Sequence, residues 1–166
     1  MSSEMDYAWA AGIVDGEGCL FISRHKAQGA KNGIKTDQYF LALKVTMGHE
    51  PTILRLRAMF GSGSKHKVEQ VGWNPAYTWI VASRLCETVL DKIEPYIFAK
   101  AEEVKVAREF LALPGWRNGR CRGAKSEEYQ KREFAIWDKM RRLKPRTRYR
   151  LEKEENAKDM LRQQKV

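Results

Sequence analysis

Two carboxylates, Asp15 and Glu17, are separated by a single glycine in the run Ala10-Ala11-Gly12-Ile13-Val14-Asp15-Gly16-Glu17-Gly18. They fall at the end of a helix-like apolar stretch that begins near Glu4, and a strand-like run, Cys19-Leu20-Phe21-Ile22, follows at once. The C-terminus of a helix is the negative pole of its macrodipole, so acids there are unfavourable unless a cation or a donor compensates them. In helical register Ala8, Gly12 and Gly16 fall four residues apart. Such a stripe has almost no side chain and lets a second helix approach backbone to backbone. A helix that packs by a small face and ends in acid points to a metal site at an interface. The plainer alternative is a buried helix whose closing turn holds two solvated acids.

The surrounding pattern shows what must position these acids. Ser3, with Asp6 three residues on, reads as a capping box opening the first helix. After Gly18 the period changes to alternation, and the first strand fades into Arg24-His25-Lys26. Residues 27–36 are glycine-rich and basic and read as a long hairpin loop. In the second strand Tyr39, Leu41, Leu43 and Val45 share one face; Gln38, Phe40, Ala42, Lys44 and Thr46 share the other. Alternation of this kind puts one face in the core. The other mixes an amide, an aromatic and a lysine, which could read base edges or simply face water.

A second helix opens at His49-Glu50-Pro51 and bears Ile53, Leu54, Leu56 and Phe60, proline being tolerated in a first turn. Lys65-His66-Lys67-Val68 reads as a basic third strand, Gly72-Trp73-Asn74-Pro75 as a turn, and Tyr77–Ala82 as a fourth strand with Tyr77, Trp79 and Val81 on one face. Ser83 is placed to cap a third helix bearing Leu85, Val89, Leu90 and Ile93, and a further helix spans about Lys100 to Leu113. Beyond it lie a loop with Arg117, Arg120, Arg122 and Lys125 and a helix from about Ser126 to Leu143 with Tyr129, Phe134, Ile136, Trp137 and Met140. Residues 144–166 have few core-forming side chains and read as a charged tail or solvated helix. The expectation is an α+β fold with one domain over 1–143, its core at about 4–113 and the basic loop and helix at 114–143.

The 166 residues include 31 Lys+Arg against 21 Asp+Glu, a net charge of +10 that favours a polyanionic partner. Cys19, Cys86 and Cys121 are odd in number and lack metal-ligand spacing, which argues against a zinc site or disulfide framework and for a reducing compartment. The acidic N-terminus does not resemble a signal peptide, and no apolar run reaches membrane length. The expected setting is intracellular, with no membrane contact.

The run Ala10–Gly18 resembles the LAGLIDADG motif of homing endonucleases, with Ala10 for the leading Leu, Ile13 and Val14 as the apolar pair and Glu17 as the second acid. Ile93-Glu94-Pro95-Tyr96-Ile97-Phe98-Ala99-Lys100 is similar to the family segment bearing the active-site lysine, and Lys100 falls at that position. The resemblance covers roughly Tyr7 to Leu113. It implies an αββαββα saddle whose antiparallel sheet is the DNA-binding face, followed by C-terminal helices. One position departs: where the family often has a polar residue, commonly Gln, that orients water, this chain has Met47, which cannot do so. His49 or a residue of the second helix is the candidate substitute.

The implied function is a site-specific double-strand DNA endonuclease. One motif per chain implies a homodimer on a long, near-palindromic target, with Ala8, Gly12 and Gly16 at the two-fold contact. Glu17 and the Gly16 carbonyl would hold Mg²⁺, for which Mn²⁺ substitutes, and Lys100 would meet the phosphate. The saddle makes Ser23, His25, Lys26, Lys31 and Lys35 candidates for DNA contact. Gln38, Phe40, Lys44 and Thr46 join them from the second strand, and Lys65, His66 and Lys67 from the third. Arg117, Arg120 and Arg122 would serve as phosphate contacts. The alternative is a non-catalytic nucleic-acid binder of the same fold, such as an RNA maturase assisting intron splicing, which Met47 favours.

Overall fold

The computed structural model describes residues 2–26, 36–69, 71–114 and 125–144. In chain order it comprises α1 (Glu4–Glu17), β1 (Gly18–His25), β2 (Gln38–Met47), α2 (Glu50–Phe60), β3 (Ser64–Val68), β4 (Ala76–Ala82), α3 (Arg84–Ile93), α4 (Ala101–Leu111) and α5 (Glu127–Arg142). A short 3-10 turn, Glu94–Tyr96, joins α3 to α4. The order is the expected αββαββα unit with helices after it. Local chemistry fixes the start of α1. The Ser3 hydroxyl accepts the Asp6 N–H at 3.3 Å while the Asp6 carboxylate accepts the Ser3 N–H at 2.9 Å. That amide, followed by the Arg55 guanidinium, holds the Asp6 carboxyl below the usual range.

The strands form one antiparallel sheet in the order β1-β2-β4-β3, so β2 and β4 are central. Register sorts every strand residue to one of two faces, because directly opposed residues share a face. Leu20 opposite Leu43, Ile22 opposite Leu41, Leu43 opposite Val81 and Val45 opposite Trp79 make the inner face. All of these are buried, and they share one core with Ala10, Ala11 and Val14 of α1, Ile53 and Leu56 of α2, and residues of α3, α4 and α5. The outer face has Cys19 opposite Lys44, Ser23 opposite Phe40, His25 opposite Gln38, and Thr46 and His66 both opposite Thr78.

Several expectations need correction at residue level. In α3 the buried stripe is Cys86, Val89, Leu90 and Ile93, at i, i+3, i+4 and i+7, and Leu85 points outward at 47% exposure. Burial pushes the Cys86 thiol up to about 12. Leu54 likewise points outward from α2. Ser83 sits before α3 but makes no side-chain cap; its φ is +54°, and its N–H donates to the Leu41 carbonyl at 2.8 Å. In α5 the expected Phe134 is exposed, while Glu133 is buried beside Met140.

Candidate functional site

The two helix-end misfits of the sequence, acids closing α1 and a lysine opening α4, meet each other in space. The Asp15 carboxylate accepts the backbone N–H groups of Phe98 at 2.7 Å, Ala99 at 3.1 Å and Lys100 at 3.1 Å. In return the Lys100 ammonium donates to the Asp15 backbone carbonyl at 2.5 Å. Lys100 is the N-cap residue of α4 and provides no side-chain cap of its own. Asp15 therefore caps α4 from outside, and Lys100 lies at the carbonyl end of α1. Each charge is wrong for its own helix and right for the other. A lysine is unfavourable beside the positive pole of a helix it opens, and α1 answers that charge.

Glu17 has no such partner. It is exposed, and no described residue hydrogen-bonds or ion-pairs with its carboxylate. The step from helix to strand beside it requires glycine: a Cβ on Gly18 would stand 2.4 Å from the Val14 carbonyl oxygen, while the Gly18 N–H bonds that same carbonyl. The neighbouring Ala8, Gly12 and Gly16 are exposed, and a Cβ added to Gly12 or Gly16 would meet nothing within 4 Å. The small stripe thus faces away from the core that α1 covers with Ala10, Ala11 and Val14.

A carboxylate and a backbone carbonyl are hard oxygen donors of the kind Mg²⁺ takes. Among the described residues no group of three or more His, Cys, Asp or Glu side chains could hold a metal ion. The donor type fits the ion.

The other candidates are distributed as follows. Ser23, His25, Gln38, Phe40, Lys44, Thr46 and His66 share the outer sheet face. There the His25 ring meets Phe40 edge-on at 5.3 Å, the Thr46 and Thr78 hydroxyls are 2.9 Å apart, and the Gln38 amide donates to the Thr36 carbonyl. Lys26 is exposed just past β1. Lys65 and Lys67 lie on the opposite face, because they pair with Trp79 and Tyr77. Lys65 bonds Glu50 of α2 at 2.5 Å, and Lys67 pairs with Glu69. Reading a whole strand as basic missed the alternation that divides it. Lys31, Lys35, Arg117, Arg120 and Arg122, like residues 145–166, lie outside the described residues.

Met47 shares the inner face with Tyr77 and packs against the core, so its thioether is turned from the sheet's outer side. His49 is the N-cap of α2, exposed, with Nδ1 2.9 Å from the Thr52 hydroxyl. Sequence reasoning missed a further node at the far end of the sheet. Lys125 and Glu133, both almost fully buried, pair at 2.6 Å, and Lys125 also donates to the Asp37 carbonyl. Burial pushes the Glu133 carboxyl up, against the pull of Lys125.

No protein-family model and no curated protein matches the sequence. Solved structures do match. The homing endonuclease I-TnaI superposes with a TM-score of 0.64 at 20% identity, over 89% of this chain and 96% of its own. The homing endonuclease I-CvuI, in complex with its target and with calcium present, gives 0.66 at 19% identity over 86% and 83%. The LAGLIDADG homing endonuclease I-LtrWI bound to target DNA gives 0.59 at 20% identity over 84% of this chain. The chain has the LAGLIDADG homing-endonuclease fold. It matches 45% of the I-LtrWI chain, so one copy of this fold accounts for just under half of that longer protein. Among the described residues no helix is long and apolar enough to cross a membrane.

Proposed function

We propose that the protein is a site-specific double-strand DNA endonuclease that works as a homodimer with a divalent metal, Mg²⁺ in the first instance. The observation that supports this best is Glu17, an exposed acid without a partner among the described residues, at the end of an exposed small-residue stripe, on the helix to which Lys100 is tethered. Two-fold packing of α1 along that stripe would be isologous. It would set the two Glu17 carboxylates close together, where like charges call for cations between them. A bound divalent metal supplies activated water and a stabilised leaving oxygen. Glu17 and the Gly16 carbonyl would hold it, and Lys100 would offset negative charge gathered on the phosphate. The outer sheet face, with Lys44, His25, His66, Gln38 and Phe40, would lie on the DNA.

The direct test is incubation with DNA spanning the insertion site of the protein's own gene, with and without Mg²⁺. Sequence-specific double-strand cutting that requires the metal supports the reading. Tight binding with no cutting favours the non-catalytic binder, for which Met47 on the inner face is the specific observation.

Two expected results bear on geometry. Gly12→Leu should leave the monomer folded and slightly more stable. The site is open, and glycine inside a helix costs roughly 0.8–1 kcal/mol relative to alanine. The same change should abolish the dimer by filling the space where backbones meet. Sedimentation of both proteins decides this, and a monomeric wild type on and off DNA contradicts the two-fold assembly. Iodoacetamide should alkylate exposed Cys19 and spare Cys86 in the folded protein. Cys19 lies opposite Lys44 on the outer face, so bound target DNA should protect it. Undiminished labelling on DNA would remove the DNA from that face.

A further inference from the structure

The two acids of the motif differ in their surroundings, and that difference divides their work. Asp15 has both carboxylate oxygens committed to three backbone amides, Oδ2 to Phe98 and Ala99 and Oδ1 to Lys100. Its main-chain carbonyl is committed to the Lys100 ammonium. Nothing comparable engages Glu17 among the described residues. Three of the roughly four lone-pair sites of the Asp15 carboxylate are thus taken by backbone amides.

We propose that Asp15 is a positioning residue for Lys100 and not a metal ligand. Its side chain fixes the Phe98–Lys100 turn to the end of α1, and its carbonyl then receives the ammonium that this turn delivers. This assignment rests on the nuclease reading for its functional meaning. The geometry is cyclic: without the carboxylate, the turn loses three hydrogen bonds at once, and the lysine loses the fixed backbone from which it reaches α1. Glu17, two residues further along the same backbone, is thereby held at constant spacing from Lys100. Metal ligation and phosphate contact would then share one rigid frame, although they come from parts of the chain more than eighty residues apart.

The expected signature is kinetic and local. Asp15→Asn keeps the side-chain volume and one acceptor oxygen, but its NH₂ group confronts at least one N–H that the second oxygen now accepts. Single-turnover cleavage at saturating Mg²⁺ should fall roughly a hundredfold, the loss expected for a misplaced catalytic group. The Mg²⁺ midpoint should not move. In a Lys100→Met background the same Asp15→Asn change should cost little more, because the residue it positions is already gone. A shifted Mg²⁺ midpoint would make Asp15 a ligand and overturn the proposal. So would equal rate losses in the two backgrounds, which mark a general loss of structure.

A second readout does not depend on cleavage. In the ¹⁵N-labelled wild-type protein, the Lys100 ammonium and the amides of residues 98–100 should exchange slowly, and Asp15→Asn should speed exchange of the ammonium and of whichever of these amides face its NH₂ group. Unchanged exchange in the variant overturns the positioning role whatever the activity. If the wild type does not cut DNA but the faster exchange is observed, the nuclease reading fails while the tether between Asp15 and Lys100 stands.

Discussion

Glu17→Gln is expected to abolish cleavage while leaving the fold and the DNA affinity measured in Ca²⁺ nearly unchanged. The substitution is close to isosteric and touches no described partner, because Glu17 is exposed and makes no hydrogen bond or ion pair there. It removes only charge, and charge is what a hard cation requires of a carboxylate. Metal stabilisation of a phosphoryl transition state is worth several kcal/mol, so the rate should fall roughly a thousandfold or more. A parallel Asp15→Asn protein separates the two acids: it should keep the metal dependence that Glu17→Gln loses. Undiminished cutting by Glu17→Gln would remove Glu17 from the chemistry and with it the proposed site.

How much of this site was legible beforehand differs by residue, for physical reasons. The Ala10–Gly18 run declares itself because helix, acid, glycine and strand must come in that order, and Gly18 tolerates no Cβ. The inner face of β2 was equally plain, since Tyr39, Leu41, Leu43 and Val45 alternate without exception and all are buried. The partnership of Asp15 with the 98–100 amides was not legible, because backbone donors leave no trace in side-chain identity. What the sequence did show was two unexplained charges, each at the wrong end of a helix, and in the fold those charges answer one another. The division of β3 could have been read: Lys65 and Lys67 alternate with His66, so they cannot share its face. Leu85 and Cys86 compete for one place on the α3 stripe, and the 86, 89, 90, 93 spacing favours the cysteine, which packs as a small apolar residue.

Glu133 is the residue least legible in the sequence and leads to the largest expected change in stability. A glutamate at the i−3 and i−7 positions of a stripe ending in Ile136 and Met140 looks like a surface residue interrupting an apolar face. In the fold it is buried, as is its partner Lys125, at side-chain exposures of 3% and 6%. Lys125 also lies over the rings of Tyr39 and Tyr129 and donates to the Asp37 carbonyl at 3.2 Å. Asp37 in turn bonds Arg24 at 2.6 Å, and the Arg24 guanidinium lies over the Phe134 and Trp137 rings of α5. The node therefore ties α5 to the end of β1 and the start of β2, the two strand ends that flank residues 27–35.

Removing one member strands the other. Glu133→Leu leaves a buried ammonium without its counter-ion, which costs about 3–5 kcal/mol. For a chain of this size that corresponds to a fall in Tm of roughly 10–15 °C. Lys125→Met should cost a similar amount by leaving the carboxylate alone, moderated because a carboxyl already pushed up by burial can take a proton. The double variant should recover most of the loss, since an apolar pair of similar volume replaces a buried ion pair at little net cost. Urea unfolding of the four proteins closes the cycle. Additive losses would show that the two side chains do not act as a pair, and the node would then not be what holds α5 to the sheet.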